Sequence, residues 1–445
     1  MPPDLYPRTN KVVLLHLSDI HFRQPYCLDS STDVEHSVRQ LLVKDIEHMT
    51  KVTGPVDLVL VTGDIAFQGH PDEYEFAKRW LAKVVETCGC DETSIFIVPG
   101  NHDVDRNSTK NKEVMDLRQE ILAIPVDSGR DKKLHDVVLN DELAVTLLAP
   151  IENFNIFAAS YKCNVSKIPF WTQTHRLLPG WDLIIHGLNS TLFSGPQSDG
   201  VGSLYLGALQ RAFVREDGKI RIVMLHHPPE YFEDLANIDD ALWNGSEIHL
   251  FGHKHRQRYL ASDTAIRYSA GAVNPSRSDG KWEPGYNLVQ LELVESEEGS
   301  LLQVESHLRL WQSSPDRFVA KVTTDGKDIF RHTIHLHRKA SPVTSEPYPV
   351  HTNDVYSVIA GNKPDVKEVV EEVMDPLTRD IALKFWSLTT SERWTVTKSL
   401  GLLEEGDIKL PEPLRYERAF ERARVQGKSA ELAAKIDGII INRGV

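Results

Sequence analysis

The stretch Lys11–His21, KVVLLHLSDIH, is a short, largely apolar run that ends on an acid and an imidazole two residues apart. Its β-branched start and its length read as a buried strand. The same arrangement recurs downstream. VDLVLVTGD (Val56–Asp64), SIFIVPGNHD (Ser94–Asp103), KIRIVMLHHP (Lys219–Pro228) and EIHLFGHKH (Glu247–His255) each run apolar and stop on polar, metal-competent residues. Ligands in open α/β sheets gather outside the carboxyl ends of the strands. Five strands would therefore deliver Asp19, His21, Asp64, Asn101, His102, Asp103, His226, His227, His253 and His255 to one crevice.

Between these strands the pattern turns helical. Thr32 or Asp33 can cap a helix whose residues Val34, Val38, Leu41, Leu42 and Ile46 share a face. Pro71 supplies the fixed φ of a second helix start, followed by Tyr74, Phe76, Ala77, Trp80, Leu81 and Val84. Strand, helix, strand, helix, strand predicts a βαβ-type layered core. Residues 104–180 read as a mostly helical or irregular insertion lying over the site. Strands resume at Asp182–Leu188, and Ala265–Ser269 follows the last motif, with a short helix at Leu206–Phe213. Tyr286–Leu293, Leu301–Trp311, Arg317–Val322 and Phe330–His337 read as closing antiparallel strands.

Ser341–Pro349 carries three prolines and few apolar residues, so it reads as a linker. Beyond it the pattern is helical: Val366–Met374, Leu377–Leu388, Ser391–Leu403, Leu414–Val425 and Ala430–Ile440. Trp386, Leu388, Trp394, Leu400 and Leu402 suit a small bundle core. The chain thus divides into a domain over 1–340, a linker over 341–352 and a helical domain over 353–445. Arg415, Arg418, Arg422 and Arg424 alternate with glutamates and read as a solvated face rather than a nucleic-acid patch.

The bulk numbers narrow the field. With 445 residues, 41% hydrophobic and 26% charged, a sizeable core is expected. A formal charge of −14 argues against a protein that coats nucleic acid or an anionic membrane. The spacing of Cys27, Cys88, Cys90 and Cys163 fits neither a disulfide framework nor a C-x-x-C zinc pair, so reduced thiols are expected. The start, Met1-Pro2-Pro3-Asp4, lacks a signal-peptide pattern, and every apolar run is strand-sized. A cytoplasmic protein without a membrane span is the expectation.

Asp, Asn and neutral His without thiolate suit Mn, Fe, Zn, Ni or Co. D-x-H and H-x-H would set two side chains on one side of an extended segment. Gly63, Gly100 and Gly252 would let the backbone turn tightly beside a metal. Two divalent ions bring four positive charges, and Asp19, Asp64 and a bridging hydroxide remove three. The remainder, about one positive charge, would attract phosphate, and the ions would lower the pKa of water from about 15.7 to near 7. Each motif alone is weak, since Gly-Asn-His-Asp is also a common turn composition. Five in order, each directly after a strand, are not.

D-x-H, G-D-x-x-x-x-G, G-N-H-D, H-x-P and G-H-x-H in this order resemble the calcineurin-like metallophosphoesterases over about residues 11 to 300. The resemblance implies a four-layer α/β/β/α sandwich, here with a separate small all-α C-terminal domain. It implies that Asp19, His21 and His255 hold one metal, that Asn101, His226 and His253 hold the other, and that Asp64 bridges them. His102 would contact the phosphate or protonate the leaving oxygen, and Asp103 would orient His102. H-x-P selects His226; in a shifted register His227 would be the ligand. Protein phosphatases of this superfamily carry Arg before the second-motif glycine and read G-N-H-E, whereas here Gln68 and G-N-H-D stand. Those differences, with Leu17-Ser18-Asp19-Ile20-His21 and Pro284-Gly285-Tyr286, resemble class III cyclic-nucleotide phosphodiesterases. The expected activity is hydrolysis of a nucleotide or other small phosphodiester by attack of a metal-bridging hydroxide. A DNA or RNA nuclease is the first alternative. An adaptor or regulatory protein with a ligand-sensing metal site is the second, because the C-terminal helices faintly resemble adaptor modules that would bind a protein partner.

Overall fold

The structure, a computed structural model, describes residues 10–195, 199–275, 282–296, 299–336 and 376–443. Its first sheet has the order β12-β11-β10-β1-β2-β3, with β13 on the same edge of β11 as β12. These strands are β1 (Lys11–Leu17), β2 (Leu58–Val61), β3 (Ile95–Ile97), β10 (Gly285–Ser296), β11 (Gly299–Gln312), β12 (Arg317–Ala320) and β13 (Phe330–His335). β1, β2 and β3 are parallel, while β10 joins β1 antiparallel, with Leu15 opposite Leu288. The second sheet runs β4-β5-β6-β7-β9-β8. It comprises β4 (Phe170–Leu178), β5 (Trp181–Leu188), β6 (Lys219–Leu225), β7 (Ile248–Phe251), β8 (Arg258–Ser262) and β9 (Ala265–Ser269). β5, β6, β7 and β9 are parallel, and β4 and β8 close its edges antiparallel.

Side-chain alternation stacks the sheets. Along β6, Ile220, Ile222 and Met224 join the main core with the first sheet, and Val223 and Leu225 join a second cluster with Ile238 and Leu242 of α7 (Leu235–Gly245). On the far side lie α1 (His36–Thr53) and α2 (Pro71–Cys88). Asp45 of α1 accepts from Tyr286 and Arg309 of the first sheet. The result is the four-layer α/β/β/α sandwich. Tyr268 and Ser306 hydrogen-bond across the two sheets at 2.6 Å, and Trp171 of β4 donates to the Ile97 carbonyl of β3 at 3.1 Å.

The sequence expectations and the structure differ in two places. The stretch 104–180 is not all insertion. Its helices, α3 (Lys112–Leu122), α4 (Ser128–Leu139), α5 (Asp141–Leu148) and α6 (Glu152–Ala159), end before β4, which forms a hairpin with β5 across Pro179-Gly180. Gly180 has φ 72°, the left-handed geometry such a turn needs. α7, between β6 and β7, has no counterpart in the sequence reading. The expected helix at Val366–Met374 and the linker at 341–352 lie outside the described residues. Among the described residues no helix is long and apolar enough to cross a membrane.

The C-terminal helices α8 (Pro376–Trp386), α9 (Thr390–Ser399), α10 (Glu412–Val425) and α11 (Ser429–Arg443) share their own core of Phe385, Leu388, Leu400, Leu402, Tyr416 and Ile436. Trp394 is half-buried beside Arg415 and is not part of that core. The basic face of α10 is only partly left to solvent: Arg424 is exposed, and its neighbours are engaged. Arg418 and Arg422 both reach Asp407, and Arg418 also pairs with Asp141 of α5 at 2.8 Å. The bundle is docked, not detached. Arg379 is fully buried in the seam between β3 and β4, donating to the Ile95 carbonyl and to Gln173 Oε1, with its guanidinium 4.2 Å from the Phe96 ring.

Arg379→Ala removes those donors and leaves a cavity, so it should cost about 2–4 kcal/mol. The expected readout is a lowered Tm with faster release of the C-terminal helices in limited proteolysis.

Candidate metal centre

The parallel strands of both sheets end at one crevice. β1 runs into Asp19 and His21, β2 into Asp64, and β3 into the turn Asn101–Asp103. From the second sheet, β6 runs into His226 and β7 into His253 and His255. The loops are laced by backbone hydrogen bonds: Asp19 N to Gly63 O (3.0 Å), Ile20 N to Asp64 O (2.8 Å) and Gly252 N to His226 O (3.0 Å).

Asp19, His21, Asp64, His253 and His255 all have positive φ, between 51° and 68°. This corrects the expectation of extended D-x-H and H-x-H segments. The paired side chains converge because each backbone turns through the left-handed region, a conformation costing roughly 1–3 kcal/mol at a non-glycine residue. The glycines serve close approach. A Cβ on Gly100 would lie 2.2 Å from Asp64 Oδ1, and one on Gly63, itself at φ 89°, 2.7 Å from His226 Nδ1.

The donors fall into two sets. In one, Asn101 Oδ1 lies 2.9 Å from His253 Nδ1 and 3.1 Å from His226 Nε2, which is 3.4 Å from Asp64 Oδ2. In the other, His255 Nε2 lies 3.2 Å from Asp19 Oδ1 and 3.4 Å from His21 Nε2. His21 Nε2 is in turn 3.9 Å from Asp64 Oδ2, so that one oxygen borders both sets. Two ligand atoms at about 2.1 Å from a shared tetrahedral or octahedral ion stand about 3.0–3.4 Å apart. Asp19 Oδ1 is buried and accepts no hydrogen bond, as a carboxylate oxygen kept for a cation would be. The donor set therefore fits divalent ions.

The protonation of His21 and His253 agrees with this. Burial brings His21 down to about 3 and His253 to about 4, which keeps both imidazoles neutral. Burial raises Asp19, but the His255 and His226 imidazoles outweigh it and hold the carboxyl below its usual range. Burial also lowers His226, yet Asp64 and Asp19 overcome it and lift the imidazole to about 9. His226 Nδ1 donates to the Thr62 carbonyl (2.7 Å), which leaves Nε2 turned toward Asp64 and Asn101. His227 instead bonds Ser190 Oγ through Nδ1 (2.8 Å), and burial and His226 hold its pKa well below the usual value.

His102 sits at the mouth, its Nδ1 donating to the Phe67 carbonyl at 2.9 Å. The expected orientation of His102 by Asp103 does not occur. The turn folds the buried Asp103 carboxylate inward, where it accepts from Gly100 N (2.9 Å), Ala66 N (2.9 Å), Ile65 N (3.3 Å) and the Tyr74 hydroxyl (3.0 Å). Burial, then the charge on Asp64, raises its pKa to about 7. The sequence reading missed Thr62, Phe67 and Asn274, whose Nδ2 donates to the Ile20 carbonyl at 2.6 Å. The first two act through backbone carbonyls, for which no side-chain pattern exists.

Two mixed sheets packed face to face, with Asp, Asn and His collected at their strand ends, define a metallophosphoesterase-type domain. The family model for calcineurin-like phosphoesterases matches residues 12–257, over half of the 445-residue chain, and the chain belongs to that family. A second model, the GTPase-associated adaptor domain, matches residues 377–438 and so spans most of the helical bundle. Membership supports phosphoester hydrolysis with divalent metals in general terms, and the adaptor domain suggests protein interaction. A stretch of 102 residues is 36% identical to the uncharacterized metallophosphoesterase-like protein YydB of Bacillus subtilis (strain 168), covering 22% of this chain and 19% of that protein. The match thus spans about a fifth of that relative's length. Among solved structures, GAP50 of Plasmodium (11% identity, TM-score 0.37, 74% of this chain and 90% of that one) and a putative 5'-nucleotidase from Staphylococcus aureus (13%, 0.33, 71% and 56%) are similar only at a level that carries no functional argument.

Gly100→Ala should push the Asp64 carboxylate aside and sharply reduce bound metal, read by elemental analysis of purified protein. The accompanying loss of stability should be about 1–3 kcal/mol, as for other overpacked sites.

Proposed function

We propose that this chain is a phosphodiesterase acting on a nucleotide or another small diester with two divalent ions. Asp19, His21 and His255 would hold one ion, Asn101, His226 and His253 the other, and Asp64 would bridge them. The observation that carries the reading is the position of Asp64 Oδ2, 3.4 Å from His226 Nε2 and 3.9 Å from His21 Nε2, on the border of both donor sets. When bound, such ions would make hydroxide available near neutral pH and offset the charge of the phosphate. The chain's own part is orientation. The Phe67 carbonyl fixes Nδ1 of His102 as a donor, which leaves the other ring nitrogen for the phosphate or the leaving oxygen. The Asp64 carboxylate accepts the His102 backbone N–H at 2.8 Å, tying that histidine to the centre. An exposed Gln68, where a monoester-gripping arginine would stand, supports a diester.

Purified protein supplied with Mn, Ni, Fe, Co or Zn should hydrolyse bis-p-nitrophenyl phosphate in preference to the monoester. Absence of turnover with every ion would overturn the reading. Asp64→Ala should abolish that activity, and a fully active variant would refute the bridging role.

The pKa of His226 makes a second measurement decisive. An imidazole held near 9 must lose its proton to bind an ion, so metal affinity should rise with pH, by up to about tenfold per unit below 9. Calorimetry in buffers of different ionisation enthalpy should show between about one and two protons released per chain at pH 7.5, one from His226 and the remainder from metal-bound water. A His226→Ala variant should release about one proton fewer.

The adaptor-domain match favours an added role for the C-terminal helices in recruiting a protein partner. Such a role is compatible with hydrolysis, because the bundle docks on the β3–β4 seam rather than inside the crevice.

A further inference from the structure

Beside the metal centre stands a cation that the mechanism above does not use. Arg23 follows His21 by two residues, and its guanidinium lies 3.5 Å above the Phe67 ring. That ring is 4.8 Å from His102 and 5.9 Å from His21, centroid to centroid. His21 and His102 are half-buried while Arg23 is exposed, so the three form a shelf running outward from the centre. The Arg23 side chain has no hydrogen bond or ion pair among the described residues. In a chain with 64 acids to 50 lysines and arginines, a guanidinium with no carboxylate partner among the described residues is unusual beside such a crevice.

The shelf is built rather than accidental. Glu73, fully buried on α2, accepts from the backbone of both loops that form it: Gln24 N (3.1 Å) on the Arg23 side, and Phe67 N (3.2 Å), Gln68 N (3.0 Å) and His70 N (3.1 Å) on the other. Phe22 N donates to Ile65 O, and Phe67 N to Phe22 O, both at 3.0 Å. The Glu73 carboxylate is therefore committed to the backbone and ties the two loops together. Packing on Phe67 covers one face of the guanidinium and leaves its N–H fork without a partner among the described residues, the fork that matches two phosphate oxygens.

We propose that Arg23 binds a second phosphate of the substrate, one flanking the phosphate that is hydrolysed, so that the preferred substrates are nucleotides with an additional phosphate. The inference rests on the phosphodiesterase reading for the site it adjoins. Its position argues for the flanking group, since the reacting phosphate would lie among the metal ligands and His102, and Arg23 lies one ring farther out.

The test is equilibrium binding of thymidine 5'-monophosphate and thymidine 3',5'-bisphosphate to the full-length, metal-loaded chain by calorimetry. The wild type should prefer the bisphosphate roughly two- to fivefold, the range of an exposed charge pair. Arg23→Ala should bring the ratio to one, and Arg23→Lys should keep part of it. Arg79→Ala, which removes an exposed arginine near Phe76 on α2, should leave the ratio unchanged. A wild type that binds both ligands equally, or an Arg23→Ala variant that keeps the preference, overturns the proposal. Turnover of bis-p-nitrophenyl phosphate is read separately. Turnover without the preference refutes the role of Arg23 alone, and an Arg23-dependent preference without turnover refutes the hydrolytic reading while the shelf stands.

Discussion

Seven metal-competent side chains meet with their donor atoms 2.9–3.9 Å apart, and much of the molecule exists to hold them there. Such a cluster opposes folding. Each buried polar atom without a partner costs about 1–3 kcal/mol. Five of the seven residues also sit at positive φ, at a similar cost each. Together these penalties approach the whole net stability of a typical domain, about 5–15 kcal/mol. The cluster persists because the loops that carry it are hydrogen-bonded to each other and rooted in fully buried strands. Divalent cations would offset the repulsion between the Asp19 and Asp64 carboxylates and give the neutral imidazoles a partner.

Neither sheet builds a donor set by itself. Asn101 comes from the first sheet, and its neighbours His226 and His253 come from the second. Asp19 and His21 belong to the first sheet, and His255 to the second. The spacing of the donors is therefore set by the packing of sheet on sheet, through contacts such as Tyr268 with Ser306 and Trp171 with the Ile97 carbonyl. The C-terminal helices anchor on the same seam. Arg379 reaches Ile95 at the start of β3, and that strand leads within a few residues to Asn101. A helical domain with its own core thus contacts the strand that supplies one of the candidate ligands.

Strand ends were the most legible feature. Apolar runs closing on Asp-x-His, Gly-Asp, Gly-Asn-His-Asp, His-His-Pro and Gly-His-x-His pointed to a shared crevice, and the structure gathers their metal-competent residues there, Asp103 excepted. The helices starting at Pro71 and Glu412 lie close to where the pattern places them. β4 was hidden because its polar residues, Thr172, Gln173, Thr174 and His175, imitate an irregular segment; only the Pro179-Gly180 turn betrayed a hairpin. Asp103 looked like a partner for His102 because the two adjoin in sequence. The turn at Asn101–Asp103 sends the carboxylate the other way, to cap backbone N–H groups, and gives His102 to a carbonyl instead.

The sequence alone determined which chemistry is present: hard and borderline donors without thiolate, placed after strands, with glycines where two backbones must nearly touch. Those properties belong to residue type and local spacing, so they can be read along one line of text. Only the tertiary structure decided which atoms meet. It put Asp64 between the two donor sets, chose His226 Nε2 by occupying Nδ1 with the Thr62 carbonyl, and laid Arg23 on Phe67 through a buried glutamate. Each depends on backbone atoms and on left-handed turns, or on the distance between two sheets, and none of these is encoded in the identity of the residues that use them.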